Sequence, residues 1–137
     1  MDSDKGLSVE IVKLEKLPDD RVPAPYKGGF AYTIKIINKS GVTVQLLGRK
    51  WMIKQADGSV ETVEGDGVVG AQPVIAHNGE HVYTSYCLLH GTHGAMWGFY
   101  FGRDLEDNPV MWRIPKFEMR MEARSGFGPE DGLDEAP

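Results

Sequence analysis

In Phe30-Ala31-Tyr32-Thr33-Ile34-Lys35-Ile36, Phe30, Tyr32, Ile34 and Ile36 fall on one parity, and Thr33 and Lys35 on the other. Side chains alternate across a strand, so this period of two makes a half-buried β-strand with its aromatic and β-branched face on a core. The period recurs along the chain. Leu7, Val9 and Ile11 alternate with Ser8 and Glu10, and Val82, Thr84, Tyr86 and Leu88 share one side of a strand expected over 80–89. Ala95, Trp97, Phe99 and Phe101 alternate with Met96, Gly98, Tyr100 and Gly102, so this strand carries bulk on one face and mixed sizes on the other. No useful length of chain shows the 3.6-residue period of a helix.

Turn chemistry separates these runs. Pro18, Pro23 and Pro25 mark a surface loop, and Asn38-Lys39-Ser40-Gly41 and Asp104–Asn108 are turns. Asp57-Gly58 and Asn78-Gly79 are hairpin dipeptides, since both central residues of a type I′ turn need positive φ. Apolar parity shifts twice. Val44 and Leu46 are even but Trp51 and Ile53 odd, which predicts a β-bulge near Gly48. Trp112 and Ile114 give way to Phe117 and Met119 after Pro115, which predicts a kinked last strand. Seven to nine strands with regular turns point to an all-β, antiparallel two-sheet sandwich, with a small barrel as the alternative.

A chain of 137 residues is long enough for one core without disulfides, and the single cysteine, Cys87, fits a reducing compartment. No apolar run approaches a membrane span and no leader pattern is present, so a cytoplasmic protein away from membranes is expected. The net charge of −5 argues against non-specific nucleic-acid binding, which depends on clustered cations. Much of that imbalance lies in Glu130-Asp131-Gly132-Leu133-Asp134-Glu135 near the C-terminus. The expected division is a disordered 1–6, a folded domain over 7–122 and an acidic tail over 123–137.

Gly65, Gly67 and Gly70 have the GxGxxG spacing of a dinucleotide loop. That loop binds phosphate only where it opens a helix, and Pro73 with the β-branched Val68 and Val69 disfavours a helix here. The glycines instead predict a bend between extended segments, serving either as an anion nest of amides or simply as a tight turn. Among the histidines, His90 and His93 lie close in sequence, and His77 and His81 straddle Asn78-Gly79, but neither pair brings a full ligand set. His81, Ser85 and Cys87 share a strand face, yet i and i+4 on a strand are about 13 Å apart, which excludes a triad on this strand alone. Cys87 is expected in or near the core. Arg49, Trp51, Trp97, Tyr100 and Trp112 form either a stacking surface or the sandwich core, with Arg49 partly buried and paired to an acid.

Several short motifs in one order resemble the ApaG family (domain of unknown function 525). They are Phe30–Ile36, Val44-Gln45-Leu46-Leu47 with Arg49 and Trp51, and Gly65-Asp66-Gly67-Val68-Val69-Gly70 with Pro73. Tyr83-Thr84-Ser85, Gly94-Ala95-Met96-Trp97-Gly98 and Ile114-Pro115-Lys116-Phe117 follow, and the likeness runs from about Leu7 to Met121. The resemblance implies an immunoglobulin or fibronectin type III-like sandwich and a stand-alone bacterial protein linked to cobalt tolerance and magnesium efflux. Related eukaryotic domains, in F-box proteins and a DNA-polymerase-interacting protein, look like protein-binding modules. No agreed catalytic residues come with the family. For its glycine motif, matched by Gly65, Gly67 and Gly70, pyrophosphate or nucleotide binding has been suggested. Lys50, Asn78 and Ala71 depart from the histidine, proline and acidic residue usual at these places, and Lys50 weakens a shared histidine metal site.

Three functions follow in order. The first is a non-catalytic module that binds a protein through an apolar patch on the 96–101 strand, at Met96, Trp97 and Tyr100. The second is a binder of a small anion or divalent cation at Gly65, Gly67 and Gly70. The third is a phosphohydrolase, for which no general base or metal cage is found. No cofactor, resident metal or catalytic residue is expected, and the sequence leaves the oligomeric state open.

Overall fold

A computed structural model describes residues 6–121; the expected acidic tail 123–137, and all of the expected disordered 1–6 except Gly6, lie outside them. Gly6 is held in a turn, its carbonyl accepting from Lys39 N at 2.5 Å.

The alternating runs become eight strands: β1 (Leu7–Lys16), β2 (Gly28–Asn38), β3 (Val44–Gln55), β4 (Val60–Asp66), β5 (Val74–Ile75), β6 (Glu80–Leu89), β7 (His93–Asp104) and β8 (Pro109–Arg120). One sheet runs β1-β2-β6. The other runs β4-β3-β7-β8, with β5 continuing the β4 side of β3. All pairings are antiparallel. The inward residues of the two sheets meet as the fold class requires, an all-β sandwich of the immunoglobulin and fibronectin type III kind. Ile34, Ile36, Leu46, Leu89, Tyr100, Ile114 and Met119 lose all solvent exposure. Tyr32 and Trp51 meet edge-on across the sheets, and Phe117 packs edge-on against Trp51.

Both parity shifts are bulges. The β3–β7 register slips between Leu46 and Gly48, and the β7–β8 register slips opposite Pro115 and Lys116. Asp57-Gly58 closes the β3–β4 hairpin, with Gly58 at φ +92°. Asn78-Gly79 behaves differently from expectation. Only Asn78 has positive φ, and the turn joins β5 to β6, which lie in different sheets. It carries the chain across the sandwich. Buried Asn38 fixes this crossing through Nδ2, which donates to the carbonyls of Ile75 and Val42 at 2.8 Å each.

Candidate functional site

β7 presents two unlike faces. The inward set is Met96, Gly98, Tyr100 and Gly102, with Met96 1% and Tyr100 0% exposed. Tyr100 shares a 2.6 Å hydrogen bond with the hydroxyl of Tyr83 on β6, tying the two sheets together through their centre. Burial pushes both phenols above the ordinary tyrosine range. Met96 and Tyr100, expected on an interaction surface, therefore belong to the core. The correction has a simple origin: they and Trp97 have opposite parity, so one sheet face cannot present all three.

Trp97, Phe99 and Phe101 point outward and remain partly exposed. Strand pairing sets them in rows. Met52 on β3 lies beside Trp97; Lys50 and Arg113 flank Phe99; Gly48 and Met111 flank Phe101. Gly48 is needed here, because an added Cβ would strike the Phe101 ring. Lys116 Nζ stands 5.4 Å from the Trp97 ring centre, within cation–π range. Met52, Trp97, Phe99, Arg113 and Lys116 line an open depression of about 340 Å³. The result is an aromatic and methionine face rimmed by cations, set on rigid strands.

The glycine stretch launches no helix. It leaves the edge of β3 at the bulge and returns to it. Gly67 N donates to Leu47 O at 2.6 Å, Gln72 Nε2 donates to the same oxygen at 3.1 Å, and Leu46 N donates to Pro73 O at 3.0 Å. Val68 and Ala71 exchange both backbone bonds around Val69 and Gly70, at φ +51° and +80°. This is the positive-φ pair of a type I′ turn. The amides of Gly67, Val68 and Ala71 are thus already donated to carbonyls. Arg49 was expected to pair with an acid. Instead its Nη1 donates to the carbonyls of Asp66 at 3.1 Å and Gly67 at 3.4 Å, and a Cβ on Gly65 would stand 2.6 Å from that nitrogen.

The remaining polar candidates disperse. His77 Nδ1 accepts from Gly41 N, His81 stacks on Tyr83, and His90 lies 3.4 Å from Glu61 and stacks on Tyr26. His77 and His81 therefore do not face each other across a hairpin. Among the described residues, no three His, Cys, Asp or Glu side chains gather closely enough to hold a metal ion. Cys87 is buried, and burial pushes its thiol up to about 12. At neutral pH it stays a thiol and a poor nucleophile. Of the three tryptophans, Trp51 and Trp112 are core as expected, and Trp97 is not. Parity was the available signal for the outer face. It separated Trp97, Phe99 and Phe101 from Met96 and Tyr100 without saying which set faced solvent.

Comparison with known proteins agrees with this architecture. A family model described as the ApaG domain matches residues 19–104. The protein ApaG of Vibrio atlanticus is 46% identical over 97 residues, covering 71% of this chain and 77% of that one. The ApaG of an Acidovorax species is 44% identical over 90 residues, spanning 66% of each chain. Among solved structures, a putative ApaA protein from Bordetella pertussis superposes with TM-score 0.76 at 32% identity, over 84% of this chain and 93% of that one. An X-ray structure of a structural-genomics target reaches TM-score 0.80 at 30% identity, over 94% and 95% of the two chains. With the motif order, the sandwich and the glycine turn on β3 all in place, this chain belongs to the ApaG domain family.

Proposed function

We propose that this protein is a non-catalytic, cytoplasmic binding module whose docking face is the outer side of β3, β7 and β8. The observation that carries this reading is the row Trp97, Phe99 and Phe101 standing outward between Met52 and Met111. Aromatic and methionine side chains with arginine are what interface centres favour, and strands hold them without an ordering cost at binding. The rim of Lys50, Arg113 and Lys116 suits a protein segment that pairs apolar anchors with carboxylates. A link to cobalt or magnesium balance, implied by the family resemblance, enters this proposal through the protein partner.

A photo-crosslinking amino acid at Phe99 tests this reading in cells. The expected result is one dominant adduct, whose purified partner binds at least about tenfold more weakly to Trp97→Ala at unchanged melting temperature. Adducts no different from those of a probe at Val60, on the edge of the same sheet, would contradict it.

Arg49 supports a second reading, a small-anion site at Gly65, Gly67 and Gly70. Its guanidinium meets the carbonyl oxygens of Asp66 and Gly67 at the turn. An NMR titration with pyrophosphate, ATP, Mg²⁺ and Co²⁺ separates the two readings. Shifts at Gly65–Gly70 on adding pyrophosphate, lost in Arg49→Met, would favour the anion; a silent bend leaves the docking face.

A further inference from the structure

The long edge strands are β1 and β6 in one sheet and β4 and β8 in the other, where the two-residue β5 extends the β4 side. An edge strand offers unpaired amides and carbonyls to any second chain, and proteins blunt such edges with bulges, prolines and charges. Three of the four are blunted in this way. The β1–β2 register breaks between Ile11 and Lys13, and Lys13 and Lys16 stand exposed. β8 carries Pro115 at its register break. β4 is short and acidic, with Glu61, Glu64 and Asp66 in seven residues.

β6 has none of these devices. Its ten residues pair with β2 without a register shift, contain neither proline, glycine nor lysine, and bear one acid, Glu80, at the first position. Its outward side chains leave Val82 50% and Tyr86 62% exposed. Among the described residues, no strand pairs with its far side.

We propose that a second copy of this chain adds to that edge, antiparallel, about a twofold axis through Thr84, making one continuous sheet of two three-stranded halves. The sequence of β6 is self-complementary in this register. Thr84 meets Thr84 of the other copy, extending a hydroxyl row already begun by the 2.7 Å bond between Thr33 and Thr84. Val82 lies opposite Tyr86 of the second copy, a β-branched and aromatic pair of the kind that stabilises antiparallel neighbours, so each covers the other's exposed surface. Glu80 falls opposite Leu88, and no like charges oppose each other. A twofold contact of this kind closes on itself, so assembly stops at a dimer. Edge pairing alone buries less than a standard interface, so the dimer forms reversibly with concentration.

Sedimentation equilibrium from low micromolar to millimolar protein, with hydrogen exchange at both ends, tests this. The mass is expected to rise from 15.2 kDa toward about twice that value, with new protection confined to alternate amides of β6. Val82→Lys and Tyr86→Lys, both at exposed positions that leave the core intact, should each weaken association about tenfold or more. Trp97→Ala should leave the mass unchanged, so failure of the outer docking face and failure of this dimer are read separately. A chain that stays monomeric at millimolar concentration overturns the proposal. So does a dimer indifferent to both lysine substitutions, one protected at β4 or β8 instead, or β6 protection independent of concentration, which would mean the same chain covers its own edge.

Discussion

The two faces of β7 both carry large aromatic side chains and perform opposite tasks. Inward, Tyr100 is sealed between the sheets with its hydroxyl spent on Tyr83. Outward, Trp97 and Phe99 spread over the sheet with cations beside them and, among the described residues, stay partly exposed. Alternation alone puts Tyr100 in the core and its neighbours Phe99 and Phe101 toward solvent. Large aromatics are therefore no guide to a core until their parity is set against a neighbouring sheet.

Substitutions can break the contrast. Tyr100→Ala should cost about 3–5 kcal/mol, from the cavity and the orphaned Tyr83 hydroxyl, read as a fall in the urea midpoint at constant slope. Tyr100→Phe removes only the hydrogen-bond partner and should cost about 1–3 kcal/mol. Arg49→Met unpins the glycine turn from beneath and should cost about 1–2 kcal/mol, with exchange quickening first at Gly65–Gly70. Trp97→Ala should cost about 1 kcal/mol or less, because the ring lies partly exposed on the outer face. An equal loss at Trp97 and Tyr100 would erase the distinction.

Alkaline pH sharpens the same contrast. Cys87 rises from 9.0 to about 12 and Tyr32 from 10.0 to about 12, both through burial, and Tyr83 and Tyr100 rise further. Unfolded, these groups lose protons that the folded chain retains. Their contribution is full below about pH 9 and is lost as pH climbs from there toward 12. Stability should fall steeply over that window, and Tyr100→Phe should flatten the fall. In the native state at pH 8, iodoacetamide should label Cys87 only as fast as the chain opens.

Sequence made much of this legible. The period of two located the strands, Asp57-Gly58 the β3–β4 hairpin, and parity located both bulges because a bulge shifts every later side chain to the other face. Two features lay beyond local reasoning. Asn78-Gly79 has hairpin chemistry, but whether its flanking strands pair depends on β5 finding β3 in the other sheet, a long-range choice no dipeptide encodes. Arg49 was visible as a partly buried cation, but its partners are backbone carbonyls of a turn 17 and 18 residues onward, and carbonyls leave no mark in sequence. The site was half legible for the same reason. Trp97 stands on the outer face as the sequence implies, but its chain neighbours Met96 and Tyr100 have the other parity and are buried.

The most direct test measures the affinity of the partner captured at Phe99 for the wild type, Trp97→Ala and Phe99→Ala, each with its melting temperature. Binding weakened about tenfold or more in both variants, with melting unchanged, is the predicted result. Undiminished binding in two folded variants would contradict an outward face of β7 built for contact.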